Sequence, residues 1–273
     1  MSLENISSAE LGRIAAIIKS EAGIHLPEEK KSLVSSRLGK RVRALKMNGF
    51  GEYCDFVTSS AGADERHEML SALTTNVTRF FREDHHFEHL RDNVLPDLIE
   101  RARSGQRVRI WSAACSSGEE PYSIAMTVLA AAPDAAKLNL RILATDIDPK
   151  ILAQARRGAY PAEALEPAPK DLAERCFETD CANGVTAAQC VRELISFKLL
   201  NLIGDWPMKG PFDVIFCRNV LIYFEQDTQD KVISRFAKLT ASGGTLCLGH
   251  SERVSNDLSG LYESTGFTSY RRR

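Results

Sequence analysis

The chain has 273 residues, 44% apolar and 26% charged, enough to bury a sizeable core without disulfide or metal staples. Its 35 Lys and Arg balance 36 Asp and Glu to a formal net charge of -1, which excludes a protein that coats nucleic acid over its whole surface. The longest apolar run, near Ile124 to Ala132, falls far short of the ~20 residues a membrane crossing needs, so no membrane insertion is expected.

The first residues, MSLENISSAEL, carry neither the basic n-region nor the apolar h-region of a secretory signal. The seven cysteines (Cys54, Cys115, Cys176, Cys181, Cys190, Cys217 and Cys247) are odd in number, and none forms a C-x-x-C pair. Reduced thiols in a cytoplasmic protein are expected, not a zinc site or a disulfide framework.

Up to about residue 73 the pattern is helical throughout. Ser7 or Ser8 can cap a helix that carries Leu11, Ile14, Ala15 and Ile18 at helical spacing. AGIHLP ends it and Pro27 marks a new start. The next helix, KKSLVSSRLGKRVRALK, lines Val34, Leu38, Val42 and Leu45 along one face and turns Lys40 and Arg43 the other way. From Lys30 to Lys46 there are seven basic residues and no acidic one. A third helix is expected around Tyr53 to Thr58, and a fourth from about Asp64 through Met69, Leu70 and Leu73.

From Val108 the rhythm changes. RVRIWSAAC, LRILATDI, FDVIFCRN and TLCLGHS read as strands. PYSIAMTVLAAA, DPKILAQARRG and QDTQDKVISRFAKLT read as the helices between them. This alternation predicts an α/β domain with a mainly parallel sheet and right-handed crossovers. GFTSYRR reads as a last short strand, antiparallel at an edge. Residues 161–194 break the rhythm: a proline-rich connection is followed by two short strands about the turn dipeptide Asn183-Gly184, or by an irregular loop.

Open parallel sheets bind ligands at the C-terminal ends of their strands. The first such tip, AACSSGEEP, lacks the G-x-G-x-x-G fingerprint and opens its helix with Glu119 and Glu120. Those carboxylates suit the helix dipole, but they would repel a pyrophosphate on the same helix end. The second tip, ATDID, ends on Asp146, which is either a carboxylate for the two hydroxyls of a ribose or an N-cap, a role Asp148 fills equally well. An acidic first loop beside a ribose-binding Asp points to S-adenosylmethionine, an adenosine with a cationic sulfonium and no phosphate. The third tip, CRNVLIYF, sets Arg218 and Asn219 at the end of a buried run, with Tyr223 as either a core aromatic or a functional one. Between the two halves, TTNVTRFFRE holds Asn76, Thr78 and Arg82 alternating with apolar residues, and Phe80-Phe81 is expected to pack into the sheet domain.

TTNVTRFFRE, WSAACSSGEEPYSIAM, ILATDID, FDVIFCRNVLIYF and GGTLCLGHSE, in that order over residues 74–252, resemble the CheR-type chemotaxis receptor methyltransferases. Ser117 stands where that family often has Thr. The resemblance implies a class I (Rossmann-like) methyltransferase sheet over residues 74–273, an N-terminal all-helical domain over 1–73, and a small antiparallel β insertion at about 171–197. It implies methyl transfer from S-adenosyl-L-methionine to glutamate carboxylates of cytoplasmic chemoreceptor regions, leaving S-adenosyl-L-homocysteine and glutamyl methyl esters that serve chemotactic adaptation. By motif, Asn76, Thr78, Arg82, Glu119, Asp146, Asn201, Leu202, Arg218 and Asn219 would border the cofactor, with Glu119 on its ammonium, Asp146 on its ribose, and Asn201 and Leu202 at its adenine. Arg82 and Tyr223 would be catalytic, meeting the substrate.

Glutamate is ionised at neutral pH (pKa about 4.3), so the reaction needs no general base, which fits the absence of histidine from the expected roles. Phe80, Phe81 and Tyr223 are expected to keep water from the reacting groups. The basic helix is either a solvated face or a dock for acidic receptor bundles, and the resemblance favours docking. The insertion could add a strand to a receptor tail, as in some members of the family. Rival readings are a methyltransferase for small molecules or nucleic acid, a binding module that has lost turnover, and a nucleotide-dependent oxidoreductase. The charge balance, the retained Arg82, Glu119, Asp146 and Tyr223, and the missing glycine fingerprint weigh against them in turn.

Overall fold

The computed structural model describes residues 5–179 and 184–273, so Cys181 and the Asn183 half of the expected turn lie outside the described residues. The chain divides into two compact units. One runs to Thr75 and takes in Tyr223–Thr228; the other holds Asn76–Ile222 and Gln229–Arg273.

The first unit is helical: α1 (Ser8–Ala22), α2 (Lys31–Ala44), α3 (Phe50–Thr58) and α4 (Ala63–Leu73). Ser7 caps α1 in a reciprocal box, its Oγ accepting from the Glu10 N–H while Glu10 accepts from the Ser7 N–H. Gly23 closes α1 in the left-handed region, φ 73°. Leu11, Ile14 and Ile18 of α1 are buried, as are Val34, Leu38 and Val42 of α2 and Tyr53 of α3. Within this core Glu65 receives a two-pronged bond from Arg41 (2.9 and 2.6 Å) and a third from the Tyr53 hydroxyl (3.0 Å). Ile24 bridges Phe224, and the His25 N–H donates to the Tyr223 carbonyl, which is why Tyr223–Thr228 joins this unit despite its place in sequence.

The basic run of α2 is partly used at home. Arg37 donates to the carbonyls of Leu73 and Thr74, Arg41 also pairs with Glu68, and the Lys30 ammonium lies 5.4 Å over the Tyr223 ring. Lys40, Arg43 and Lys46 are exposed and have no ion-pair partner among the described residues.

The second unit begins with a helical stretch the sequence reading left unassigned: α5 (His85–His89), a π turn, and α6 (Leu95–Arg103). It continues through β1 (Val108–Ala113), α7 (Glu119–Ala131), β2 (Leu140–Asp146), α8 (Pro149–Arg157), β3 (Ala159–Pro161), α9 (Lys170–Cys176), β4 (Phe177–Thr179), β5 (Gly184–Ala187), α10 (Gln189–Arg192), β6 (Ile195–Leu199), β7 (Phe212–Cys217), α11 (Gln226–Leu239), β8 (Thr240–Leu248), β9 (Tyr262–Gly266) and β10 (Ser269–Arg272). The main sheet has seven strands in the order β6-β2-β1-β7-β8-β10-β9, parallel from β6 to β8 and antiparallel beyond.

Two details differ from expectation. The last strand, β10, lies one place in from the edge, and β9 takes the edge itself; of the five β9 residues only Tyr262 is buried, so no apolar alternation marks it. The opposite edge is β6, whose first residues fall in the stretch read as insertion; only Ile195 of its five residues is buried. The small antiparallel sheet has three strands, β3-β5-β4, the third supplied by Ala159–Pro161 upstream of the expected pair.

On one face of β1, Trp111 packs edge-on against Trp206 and Phe236 and donates to the Thr145 hydroxyl at 2.9 Å. On the other, Phe80 is fully buried and meets Tyr160 and Phe177 edge-on at centroid distances of 5.0 and 5.5 Å. Phe80 therefore anchors the segment that follows the helical unit to the small sheet, while Phe81 is half-buried against Phe87. Phe80→Ala should cost about 3–5 kcal/mol, the range for truncating a buried aromatic, measured by chemical denaturation of the full chain. A loss under ~1 kcal/mol would mean that the cluster collapses around the gap and that Phe80 is no anchor.

Candidate active site

The neighbours of β1 decide where a ligand fits. On one side β2 and β6 follow in turn; on the other, β7 and β8 arrive from later in the chain. The order reverses between β1 and β7, and open sheets of this kind have a crevice there, above the strand ends. Three tips reach that end of the sheet: residues 114–118 after β1, Asp146 closing β2, and Arg218-Asn219 after β7.

Asp146 is 6% exposed. One oxygen accepts the Ser116 N–H at 2.8 Å and the other the Asp148 N–H at 3.0 Å. Capping of α8 falls to Asp148, which accepts from the Lys150 N–H, so Asp146 is released from that alternative. Each Asp146 oxygen keeps a lone pair for a hydroxyl donor. Burial raises its pKa, against the pull of the Asp148, Ser116 and Ile147 N–H groups. The Leu200 N–H donates to the Asp146 carbonyl, which brings the chain leading to Asn201 and Leu202 beside this tip. Asn201 turns its side-chain oxygen to the Ile203 N–H, and the Leu202 carbonyl is held by Arg235.

Glu119, the first residue of α7, is half-buried and accepts from the Ser117 hydroxyl at 2.6 Å. Burial raises its pKa as well. Gly118 before it has φ 103°, and a Cβ there would lie 2.7 Å from the Tyr160 hydroxyl. The glycine thus permits the tight turn between β1 and α7. Ser116 donates from its hydroxyl to the Asn76 carbonyl at 3.3 Å, so TTNVTRFFRE begins against the β1 tip. Thr78 is half-buried in the same segment.

Arg218 turns inward. Its side chain is 2% exposed, 3.1 Å from Glu120 and 3.2 Å from Glu83, and it donates to the Arg82 carbonyl. The sequence marks Glu120 only as an acidic helix start and Glu83 not at all; the buried strand end alone signals that Arg218 needs partners. Asn219 donates to Glu83 at 3.1 Å, and His250 lies 2.9 Å from the same Glu83 oxygen. Burial alone would raise the Glu83 carboxyl, but Arg218, Asn219 and His250 outweigh it and hold its pKa at about 2. Glu83, His85 and His86 also bring one ligand atom each within 4.8 Å of one another. A cation there would meet the Arg218 guanidinium, already on Glu83, so the cluster is an ion-pair hub and not a metal centre. His86 is neutral, its pKa pushed down to about 3 by burial and then by Arg218.

The Arg82 side chain folds back to the Val77 carbonyl at 2.7 Å and has no carboxylate partner among the described residues. The structure thus gathers Asn76, Arg82, Glu119, Asp146, Arg218 and Asn219 into one connected set of loops, with Asn201 and Leu202 at its β2 side. Tyr223 belongs to the helical unit. Phe80, expected to exclude water from the reacting groups, is instead spent in the core.

Residues 76–270 match the family model described as "CheR methyltransferase, SAM binding domain", and residues 9–74 match "CheR methyltransferase, all-alpha domain". A "Probable chemotaxis protein methyltransferase" of Rhizobium etli is 57% identical over 258 residues, 93% of this chain and 96% of that protein. A "Chemotaxis protein methyltransferase" of Escherichia coli is 41% identical over 255 residues, 92% of this chain and 86% of that protein. One of the same name from Borreliella burgdorferi is 37% identical over 255 residues, 92% of this chain and 90% of that protein.

The hub makes a prediction about acid. In an unfolded chain Glu83 has a pKa of about 4.3; in the fold it is held at about 2. A depressed folded pKa adds stability above pH ~4.3 that is lost as the pH falls toward 2. Glu83→Gln should therefore flatten the acid limb of a stability-against-pH curve in that window. Denaturant titrations at stepped pH test it, and an unchanged slope in the variant would remove Glu83 from the charged hub.

Proposed function

The chain belongs to the CheR family of S-adenosylmethionine-dependent methyltransferases, and we propose that its substrates are glutamate carboxylates on the cytoplasmic bundles of chemoreceptors. The observation that carries this reading is the pairing of carboxylates at the β1 and β2 tips with a guanidinium, Arg82, that has no carboxylate partner among the described residues, on the adjoining segment. Such a set suits a cationic nucleoside cofactor beside an anionic acceptor.

The donor set fits S-adenosylmethionine. Asp146 has lone pairs left for two ribose hydroxyls, Glu119 offers a carboxylate to the amino acid ammonium, and Asn201 and Leu202 would border the adenine. Asn76, Thr78, Arg218 and Asn219 would complete the pocket, Arg218 through the hub it holds together. When bound, the cofactor supplies a methyl group activated by the positive sulfonium. The protein must hold a carboxylate in line with it. Arg82 would grip the acceptor glutamate with two N–H groups and aim one oxygen, and the Tyr223 hydroxyl would steady the second contact. No proton need be removed, because the acceptor is already ionised.

The helical domain, residues 1–73 by this reading, would present Lys40, Arg43 and Lys46 to an acidic receptor bundle. A groove on α2 lined by Ser32, Ser36, Lys40 and Arg43 offers hydroxyls as well as charge to that partner. The free edges of the small sheet could accept an extended receptor tail. Reduced cysteines and a cytoplasmic site of action agree with this. Among the described residues no helix is long and apolar enough to cross a membrane.

Two sets of variants test the reading. Asp146→Ala should weaken S-adenosylhomocysteine binding by ~1–3 kcal/mol, the worth of charged hydrogen bonds. Arg82→Ala should instead cut turnover about a hundredfold, the scale of a misaimed reactant. Tyr223→Phe should lower turnover with nearly normal cofactor affinity. Calorimetry with radiolabelled methyl transfer to receptor fragments separates the two effects. Normal turnover in both Arg82 and Tyr223 variants, or a product stable to mild base, would sink the glutamyl-ester assignment.

Docking has its own signature. Reversing Lys40 and Arg43 to Glu should slow methylation at low salt without changing cofactor affinity. The gap should shrink as salt shortens screening below about 8 Å. Equal low-salt rates would return the helix to a solvated face.

A further inference from the structure

Glu252 ends the GHSE sequence that follows β8, and nothing above uses it. Its side chain is buried, the residue being 3% exposed, yet it has no cation within ion-pair distance among the described residues. Five backbone N–H groups donate to it instead. Asn219 (2.9 Å) and Gly249 (2.6 Å) reach Oε2; Val220 (2.9 Å), Leu221 (2.7 Å) and Ile222 (3.3 Å) reach Oε1. A carboxylate this far from water is held only by such a complete set of donors. Four of the five come from the loop that leaves β7, so the carboxylate dictates that loop's shape.

The surroundings are built for this clasp. Asn219 is left-handed, φ 58°, a region that asparagine tolerates better than most residues with a Cβ, and its N–H bond to Glu252 holds it there. From that conformation its side chain reaches Glu83, and so the Arg218 hub. Gly249 has no side chain because none fits: a Cβ would stand 2.6 Å from Asn219 Nδ2, 2.7 Å from Asn219 N and 2.8 Å from Glu252 Oε2. His250, between them, adds its contact to Glu83 at 2.9 Å.

We propose that Glu252 is a positioning residue for methyl transfer. By filling the nest of N–H groups after β7 it fixes Asn219, the hub of Arg218 that Asn219 joins, and the loop through Ile222, which precedes the proposed catalytic tyrosine in sequence. The inference rests on the reading that this loop borders the reacting groups. Glutamine cannot replace it, since its NH2 would face N–H donors on one side or the other. Aspartate is one methylene too short to span both sets.

Glu252→Gln is tested by three measurements on the full chain: hydrogen exchange of the amides of residues 219–222, calorimetric affinity for S-adenosylhomocysteine, and turnover on receptor fragments. The loop amides should exchange at least about tenfold faster while β1 and β2 keep their protection. Turnover should fall at least about tenfold and cofactor affinity by clearly less, because Asp146 and Glu119 stand on other tips while only Arg218 and Asn219 of the pocket stand on this loop. Gly249→Ala, which wedges the same clasp from the opposite side, should give the same pattern and serves if the first variant does not fold. Unchanged exchange in a folded variant overturns the clasp whatever the activity. Faster exchange with wild-type turnover overturns the positioning role. A joint collapse of affinity, turnover and melting temperature overturns it too, leaving Glu252 a general structural residue. A wild type inactive on receptor fragments defeats the substrate reading alone, since the exchange experiment still decides the clasp.

Discussion

Everything at the crevice hangs on one buried guanidinium. Arg218 sits between Glu83 and Glu120 and donates to the Arg82 carbonyl, tying the β7 tip to α7 and to the segment that begins at Asn76. Taking three charges out of water costs several kcal/mol per ion, and attraction in the interior repays that only when the geometry is satisfied. Here each partner has further bonds: Glu83 to Asn219 and His250, Glu120 to the Ser112 hydroxyl at 2.7 Å. The hub is better understood as a device that fixes three loops than as a source of net stability.

What the hub restrains is strained backbone. Phe81, Glu83, Ala114, Ser116 and Asn219 all have φ between 49° and 64°, left-handed values that cost roughly 1–2 kcal/mol for a residue with a Cβ. All five lie on the loops that converge here. Such conformations persist only where surrounding bonds over-determine them. Ser116 is held through its N–H by Asp146, Asn219 by Glu252, and Glu83 by the hub. Asp146, the carboxylate proposed for the ribose, thus also sets the turn at Ser116.

The legible parts of the sequence were those with a strong period. Strand β7 is wholly buried, β1 nearly so, and β2 and β8 end in buried runs, so their apolar stretches stood out, and α1 to α4 showed their stripes. Edge strands did not: β6 and β9 bury one residue each of five, and alternation vanishes where only one side chain needs covering. At the site, strand tips pointed to Asp146 and Glu119, but spacing could not divide the work between Asp146 and Asp148. That needed the Lys150 N–H, which bonds to the second. Nor could it show that Arg37 and Arg41 leave the basic face for carbonyls and Glu65. Long-range partners such as Glu83 for Arg218, 135 residues apart in sequence, carry no periodic signal at all.

The acidity of the crevice and its lack of a committed base belong to one chemical argument. A fold that binds a dinucleotide puts bare glycine N–H groups where phosphate will lie. This chain puts Glu119 and Glu120 there, and burial raises the pKa of both, a cost tolerated only if a cation or a fixed guanidinium answers them. Arg218 answers Glu120. Glu119 has a serine hydroxyl and no cation among the described residues, so it retains its attraction for a positive ligand. The nearby histidines are disposed differently: His86 is neutral and bound to the Thr268 hydroxyl, and His250 is engaged with Glu83. Methyl transfer to an ionised carboxylate asks for no proton acceptor. The site invests in charge complementarity and aim, which is the economy expected when both reactants arrive already activated.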